Sequence, residues 1–539
     1  MDAPQRREFD RRRFLQALGV TTAAGAVVIG GGTAQASPTP TPTLVNPGFE
    51  DGLSGWQTGG TAGAAHVDAV GHTGNGRLTH WAATDFTATT AQTVTGLRPG
   101  WWSVRAWVKS GGALGASRLE IVQDRKVTVS TALPNTELGD GWVQIAATAR
   151  VHGRNATIRL STTAPGGSWA TLDDVTIAPD RVERAFRGAD LSSVPKNEDH
   201  GAKYRDRAGR RRAPEVILAA AGANLGRLKV WVNPADGYND EAHVVRMGKR
   251  IKRAGMKLLV DFHYSDSWTD PGQQWPPAAW KDLDAAGLTA KVAEHTTSVL
   301  TALRRAGVSA DYVQIGNEIN PGMLWPLGQT WDVDPSDDVT DPQWDNLAAF
   351  LTAGAQAAKA ANPRTRTLLH LTNVNNGIGS LTWWFDEIVA RNVPFDLIGL
   401  SFYGYWHGSF ADIQNAITAL SDRYDRDVLV VETAYPWTLK DNPTVPWENV
   451  IDLESELVAG YPATPASQAA YLRALQDVVA AAPGGRGLGT VWWEPAWTAV
   501  PGNGWDPRDP SSGNAWENQA VFDWDGRAPP ALATFARDC

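Results

Sequence analysis

The sequence predicts an α/β protein, a (β/α)8 TIM barrel over residues 184–539 preceded by an all-β sandwich over residues 44–180. Three observations predict it. Past residue 184, eight short apolar runs alternate with Ala/Leu-rich helical stretches, the rhythm of a parallel sheet. Before residue 180, apolar and polar residues alternate with period two between Gly, Pro, Asn and Asp, the rhythm of an antiparallel sandwich. The chain has 539 residues, more than one core ordinarily serves, so two or three domains are expected.

Composition narrows the class. An apolar fraction of 42% with 20% charged residues describes a folded chain. The net charge of −9 is spread out. That excludes the basic footprint of a nucleic-acid-binding protein, and a mildly acidic surface mainly aids solubility. There are 25 Trp against 10 Tyr and 13 Phe. Flat indole faces suit the C–H faces of sugar rings, with core packing as the competing role for each one. Cys539 is the single cysteine, so no disulfide forms within the chain.

The N-terminus reads as an address. Arg11-Arg12-Arg13-Phe14-Leu15-Gln16 resembles a twin-arginine export signal. An apolar stretch and the small residues Ala34-Gln35-Ala36 follow, as at a cleavage site. Residues 1–36 are therefore expected to be a signal peptide, which implies a secreted protein with no membrane attachment after cleavage. The alternative is an N-terminal anchor, against which the run is short and rich in Gly and Ala. Residues 37–43 form a semi-rigid Pro/Thr linker.

Residues 44–180 carry the alternating runs. Examples are Trp102-Ser103-Val104-Arg105-Ala106-Trp107-Val108 and Ala156-Thr157-Ile158-Arg159-Leu160. The opening Leu44-Val45-Asn46-Pro47-Gly48-Phe49-Glu50 with Trp56, and the closing Ala170-Thr171-Leu172-Asp173-Asp174-Val175, resemble the end strands of jelly-roll carbohydrate-binding modules. The resemblance implies a glycan-binding module and a structural calcium between those strands. Its candidate metal ligands are Glu50 and Asp174, calcium preferring carboxylate and carbonyl oxygens. Two solvated carboxylates are the alternative. Trp56, Trp81, Trp101 and Trp169 are the candidate sugar platforms.

For the barrel, the expected strands are 185–190, 227–232, 257–262, 312–316, 367–371, 397–402, 428–432 and 490–493. Each is nearly all apolar, as strands buried on both faces should be. A doubly wound open sheet is the competing fold, but no Gly-rich phosphate loop follows the first strand. In a barrel, the C-terminal strand ends build the active site. Here those ends carry Asp190, Asn233, His263, Asn317, Glu318, Asn373, Tyr403, Glu432 and Trp493.

Two of these residues suggest a reaction. Glu318 closes the fourth strand and Glu432 the seventh, nearly opposite in an eight-stranded barrel. Cleaving an acetal with retention needs two carboxyl groups across the bond, one protonated and one ionised.

Several blocks together resemble glycoside hydrolase family 53, the arabinogalactan endo-β-1,4-galactanases. They are Arg187-Gly188-Ala189-Asp190-Leu191-Ser192-Ser193, Val230-Trp231-Val232-Asn233-Pro234, Asp261-Phe262-His263-Tyr264-Ser265-Asp266-Ser267-Trp268, Gly316-Asn317-Glu318-Ile319-Asn320, Gly399-Leu400-Ser401-Phe402-Tyr403 and Val491-Trp492-Trp493-Glu494-Pro495. The resemblance implies Glu318 as acid/base and Glu432 as nucleophile, with Asn317 on the sugar 2-hydroxyl. It implies substrate subsites lined by Asn233, His263, Tyr403 and Trp493. No cofactor serves the chemistry. The implied partner is β-1,4-galactan or arabinogalactan of plant pectin, met by a monomer. There are two departures. Lys229 stands where the family often has Arg before the second-strand Trp, which would soften a supporting salt bridge. The loop after the seventh strand, with Asp441, does not match the calcium-binding spacing of some bacterial relatives. Other retaining β-glycanases, acting on mannan or xylan, and a non-catalytic glycan-binding barrel are the alternative readings.

Overall fold

The structure, a computed structural model, describes residues 42–139 and 141–537. The signal peptide expected over 1–36, residues 37–41 of the linker and Cys539 lie outside the described residues.

The first ten strands are β1 (Gln57–Gly60), β2 (Ala65–Ala69), β3 (Gly76–Trp81), β4 (Phe86–Thr95), β5 (Gly100–Gly111), β6 (Ser117–Gln123), β7 (Lys126–Ala132), β8 (Val143–Val151), β9 (Asn155–Ala164) and β10 (Trp169–Ala178). They form two five-stranded antiparallel sheets, ordered β1-β4-β9-β6-β7 and β2-β3-β10-β5-β8. Period two explains the sandwich. In β8, Val143, Ile145, Ala147, Ala149 and Val151 are buried, and the residues between them are less so. In β9, Ala156, Ile158 and Leu160 do the same from the facing sheet.

The next eight strands are β11 (Phe186–Asp190), β12 (Leu225–Val230), β13 (Lys257–Phe262), β14 (Tyr312–Ile315), β15 (Arg366–Leu371), β16 (Leu397–Ser401), β17 (Asp427–Thr433) and β18 (Gly487–Trp492). They close into a parallel barrel in sequence order, β18 pairing with β11. Closure excludes the open doubly wound sheet. The helices are α1 (Val194–Asp199), α2 (Pro214–Ala221), α3 (Glu241–Arg253), α4 (Ala285–Arg305), α5 (Trp344–Ala361), α6 (Ile378–Ala390), α7 (Gly404–His407), α8 (Phe410–Tyr424) and α9 (Pro465–Ala480). Side chains of Asp240 and Asp284 cap α3 and α4 by accepting backbone N–H bonds, and Ser409 with Asp412 makes a capping box on α8.

The barrel interior is layered. Phe186, Leu225, Leu259, Tyr312, Leu368, Leu397, Leu429 and Val491, one from each strand, form an apolar plug. Two residues further along four of these strands stand Arg227, Asp261, Gln314 and His370, all buried. A polar floor thus rests on an apolar plug, and the site opens above it.

The second strand corrects an expectation. It was expected over 227–232 and runs instead over Leu225–Val230. Gly226 hides its start from an apolar-run reading. At its far end Trp231 N–H leaves the ladder and donates to Asn239 O.

The sandwich docks on the outside of the barrel. Gln144 N–H donates to Gln414 Oε1 at 2.6 Å, and Gln414 Nε2 donates back to Gln144 O at 2.9 Å. Asn135 N–H donates to the Tyr461 hydroxyl at 2.9 Å.

Candidate active site

Glu318 and Glu432 wall one cleft of about 630 Å³ at the C-terminal strand ends, together with His263, Asn317, Tyr403 and Trp493. Each arrives by a specific local device. Gly316, at φ 79°, turns the chain out of β14, and Glu318 itself sits at φ 49°. That left-handed conformation is costly for a residue with a Cβ, and such strain gathers at functional sites. Glu318 N–H donates to His370 Nδ1 at 3.3 Å, and Ile319 N–H to His370 O at 3.0 Å.

Glu432 enters by a β-bulge. Leu400 pairs with Val430, but Ser401 pairs with Glu432, leaving Val431 as an extra residue on β17. Leu429 and Val431 both pack in the plug. Strict alternation would therefore have turned Glu432 out of the barrel, and the bulge re-aims it inward.

Arg227 organises the floor. Its guanidinium reaches Asp190, Asp261 and Glu432, each at 2.8 Å, and Asn317 Oδ1 at 2.9 Å. The planar fork suits several carboxylates at once. The Tyr403 hydroxyl donates to the second oxygen of Glu432 at 3.0 Å. The hydroxyls of Ser401 and Thr372 stand beside Glu318 and favour its anion.

Burial raises both carboxyl groups. Burial pushes Glu318 above the ordinary carboxylate range; the hydroxyls of Ser401 and Thr372 oppose the rise and the charge of Asp270 adds to it. Burial pushes Glu432 up as well, opposed by Arg227 and reinforced by Glu318, Asp261 and Asp190. The two share a pocket and titrate as a pair. The donors decide which loses its proton first. Glu432 has a guanidinium and a phenol aimed at its two oxygens, and both favour its anion. Glu318 has hydroxyls beside it and feels Arg227 only as the least of its neighbours. The negative charge therefore settles on Glu432 and the proton on Glu318.

The histidines are orienting groups. Thr269 N–H donates to His263 Nδ1 at 3.2 Å, which leaves Nε2–H to donate to Asp261 at 3.1 Å. His370 takes the Glu318 N–H on Nδ1 and donates from Nε2 to Ser401 at 2.8 Å. Burial pushes its pKa well below the ordinary histidine value. Asn317 Nδ2 donates to Thr269 O at 2.8 Å. Trp493 packs edge-to-face on Trp516, with ring centres 4.6 Å apart, and near Trp268 and Trp497. Indoles thus surround the mouth of the cleft.

Asn233 is not brought to this cleft. It is exposed, three residues beyond the end of β12, and its N–H donates to Asp266. The shift of β12 explains its displacement. Lys229, by contrast, keeps an ion pair: Nζ lies 2.6 Å from Glu494 Oε1 and 4.1 Å from the centre of the Trp268 ring. Arg227, Asp261 and His370 escaped the sequence reading as site members. The available signal was a charge or imidazole inside an otherwise apolar barrel strand.

In the sandwich, both Glu50 oxygens accept backbone N–H bonds, from Asn75 and Gly76. Asp174 takes His72 Nδ1 at 2.7 Å and the Thr73 hydroxyl at 2.8 Å. No oxygen of this pair is left without a donor. Among the described residues no group of three or more His, Cys, Asp or Glu is arranged to hold a metal ion. Trp56 is a core residue against Phe49. Trp81 is 45% exposed and pairs across the strands with Trp169.

The profile of Glycosyl hydrolase family 53 matches residues 186–535. An arabinogalactan endo-β-1,4-galactanase of Cellvibrio japonicus (strain Ueda107) is 35% identical over 366 residues, 66% of this chain and 91% of that protein. An endo-β-1,4-galactanase of Bacillus subtilis (strain 168) is 31% identical over 388 residues, 65% of this chain and 85% of that protein. Among solved structures, the Ignisphaera aggregans GH53 catalytic domain superposes with a TM-score of 0.60 at 35% identity, covering 66% of this chain and 96% of that one.

Proposed function

The chain belongs to glycosyl hydrolase family 53, and on that premise we propose that it is a secreted, retaining endo-β-1,4-galactanase acting on the arabinogalactan of plant pectin. The observation that carries the reading is the unequal surroundings of Glu318 and Glu432 within one cleft. In the first step Glu432 attacks the anomeric carbon while Glu318 gives its proton to the departing glycosidic oxygen. A glycosyl ester on Glu432 results. Glu318, now a carboxylate, then takes a proton from water, whose oxygen attacks the same carbon and releases Glu432.

Arg227 and Tyr403 position Glu432 and hold it ionised. Asn317 serves the sugar 2-hydroxyl, His263 fixes Asp261 and the cleft wall, and Trp493 with its neighbours offers stacking faces. The galactanase relatives support galactan over mannan or xylan. A product profile on linear β-1,4-galactan, with mannan and xylan alongside, tests the substrate. Turnover of mannan or xylan in preference to galactan would overturn it. Binding without turnover would mean a non-catalytic barrel.

The sandwich serves as a glycan-binding module through exposed Trp81 beside Trp169. Calcium at Glu50 and Asp174 would have to displace His72 and Thr73 from Asp174. A lower Tm in chelator, restored by calcium, is the expected sign of it. Export through the twin-arginine route and a monomeric state complete the proposal; fractionation of the producing cells and light scattering test them.

A further inference from the structure

Between the sandwich and the barrel lies a second crevice, of about 930 Å³. One wall comes from β6, β7 and β8, the other from α9 and the C-terminal segment. Arg118, Arg150, Arg181, Arg184 and Arg473 line it, with Asp477 as the one carboxylate among the described lining residues. Arg184 pairs with Asp477, and Arg181 with Glu183 at 2.6 Å. Among the described residues, three of these guanidinium groups, on Arg118, Arg150 and Arg473, have no carboxylate within ion-pair distance, on a chain whose net charge is −9. Arg473 donates to the carbonyls of Ala533 and Thr534, and burial followed by the charges of Arg184 and Arg187 pushes it down to about 10. The crevice is therefore electropositive in itself.

We propose that this crevice binds a carboxylate-bearing glycan, a uronate segment distinct from the neutral chain taken by the catalytic cleft. Guanidinium groups match carboxylates with paired N–H bonds. The remaining surface suits sugar rather than peptide. Thr128, Thr131 and Thr148 supply hydroxyls along the wall, and Trp101 supplies an indole that holds the Arg181 guanidinium 4.1 Å from its ring centre. Engaging an acidic segment here would tether the enzyme to a mixed polymer while the cleft works on its neutral part.

Affinity electrophoresis of the full chain tests this, in native gels containing polygalacturonate, linear neutral galactan or poly-L-glutamate. Polygalacturonate should retard the protein, and 0.3 M salt should remove most of the effect by screening. The double variant Arg118→Gln/Arg150→Gln should lose at least threefold of that retardation. Its rate on linear galactan and its Tm should stay at the wild-type values, which separates the site from both catalysis and folding. Absence of retardation by polygalacturonate, unchanged retardation of the double variant, or equal retardation by poly-L-glutamate would overturn the proposal. Failure to hydrolyse galactan would instead count against the catalytic assignment alone.

Discussion

Arg227 binds Glu432: a guanidinium nitrogen lies 2.8 Å from Oε1, with both side chains buried. The same guanidinium spans Asp190 and Asp261. One cation thus supports three carboxylates, and the third is the proposed nucleophile.

Arg227→Lys should therefore be a severe change. A single ammonium cannot reach all three carboxylates in one plane. The expected result is a fall in kcat of at least a hundredfold with little change in KM. Arg227→Ala should also destabilise the fold by about 3–5 kcal/mol, because it leaves buried charges unpaired. Steady-state kinetics and urea unfolding check the two parts.

The pH profile follows from Glu318. Its working form is the acid, which burial holds protonated above the ordinary carboxylate range. Activity on polymer should be present below its raised pKa and lost as pH rises through it. Glu318→Ala should remove this alkaline limb. It should also spare aryl galactosides with good leaving groups far more than galactan, since they need little protonation. Equal losses on both substrates would sink the assignment.

Tyr403→Phe removes one donor from Glu432. The anion loses a hydrogen bond worth about 1.5–3 kcal/mol. A drop in kcat of roughly ten- to a hundredfold is expected at 1.36 kcal/mol per decade. The acidic limb of the profile should move upward, because the carboxylate is less well supported. An unchanged acidic limb would contradict the contact's role.

Trp81→Ala should weaken retardation of the protein in neutral galactan gels and leave the rate on short soluble galactan unchanged. Loss of both would mean that the sandwich does more than bind.

Much of this architecture was legible in the chain. Buried parallel strands are mostly apolar, so eight runs stood out, and Glu318 followed from its place just beyond β14. Glu432 was legible as a strand-end acid, but its direction was not. Alternation favours Val431 as the inward residue, and only the pairing of Ser401 with Glu432 reveals the bulge. Arg227 was hidden for a related reason. A charged residue inside a strand reads as solvated unless its partners are known, and those partners, Asp190, Asp261 and Glu432, come from three other strands. Asn233 was placed by a strand boundary two residues out of position, enough to carry it from the cleft to an exposed loop.

The central claim is a double displacement by Glu432 and Glu318, and its most direct test is the configuration of the first product. Proton NMR during early hydrolysis of β-1,4-galactan, before mutarotation, reads the anomer at the new reducing end. The β anomer should appear first. Initial release of the α anomer would contradict the account.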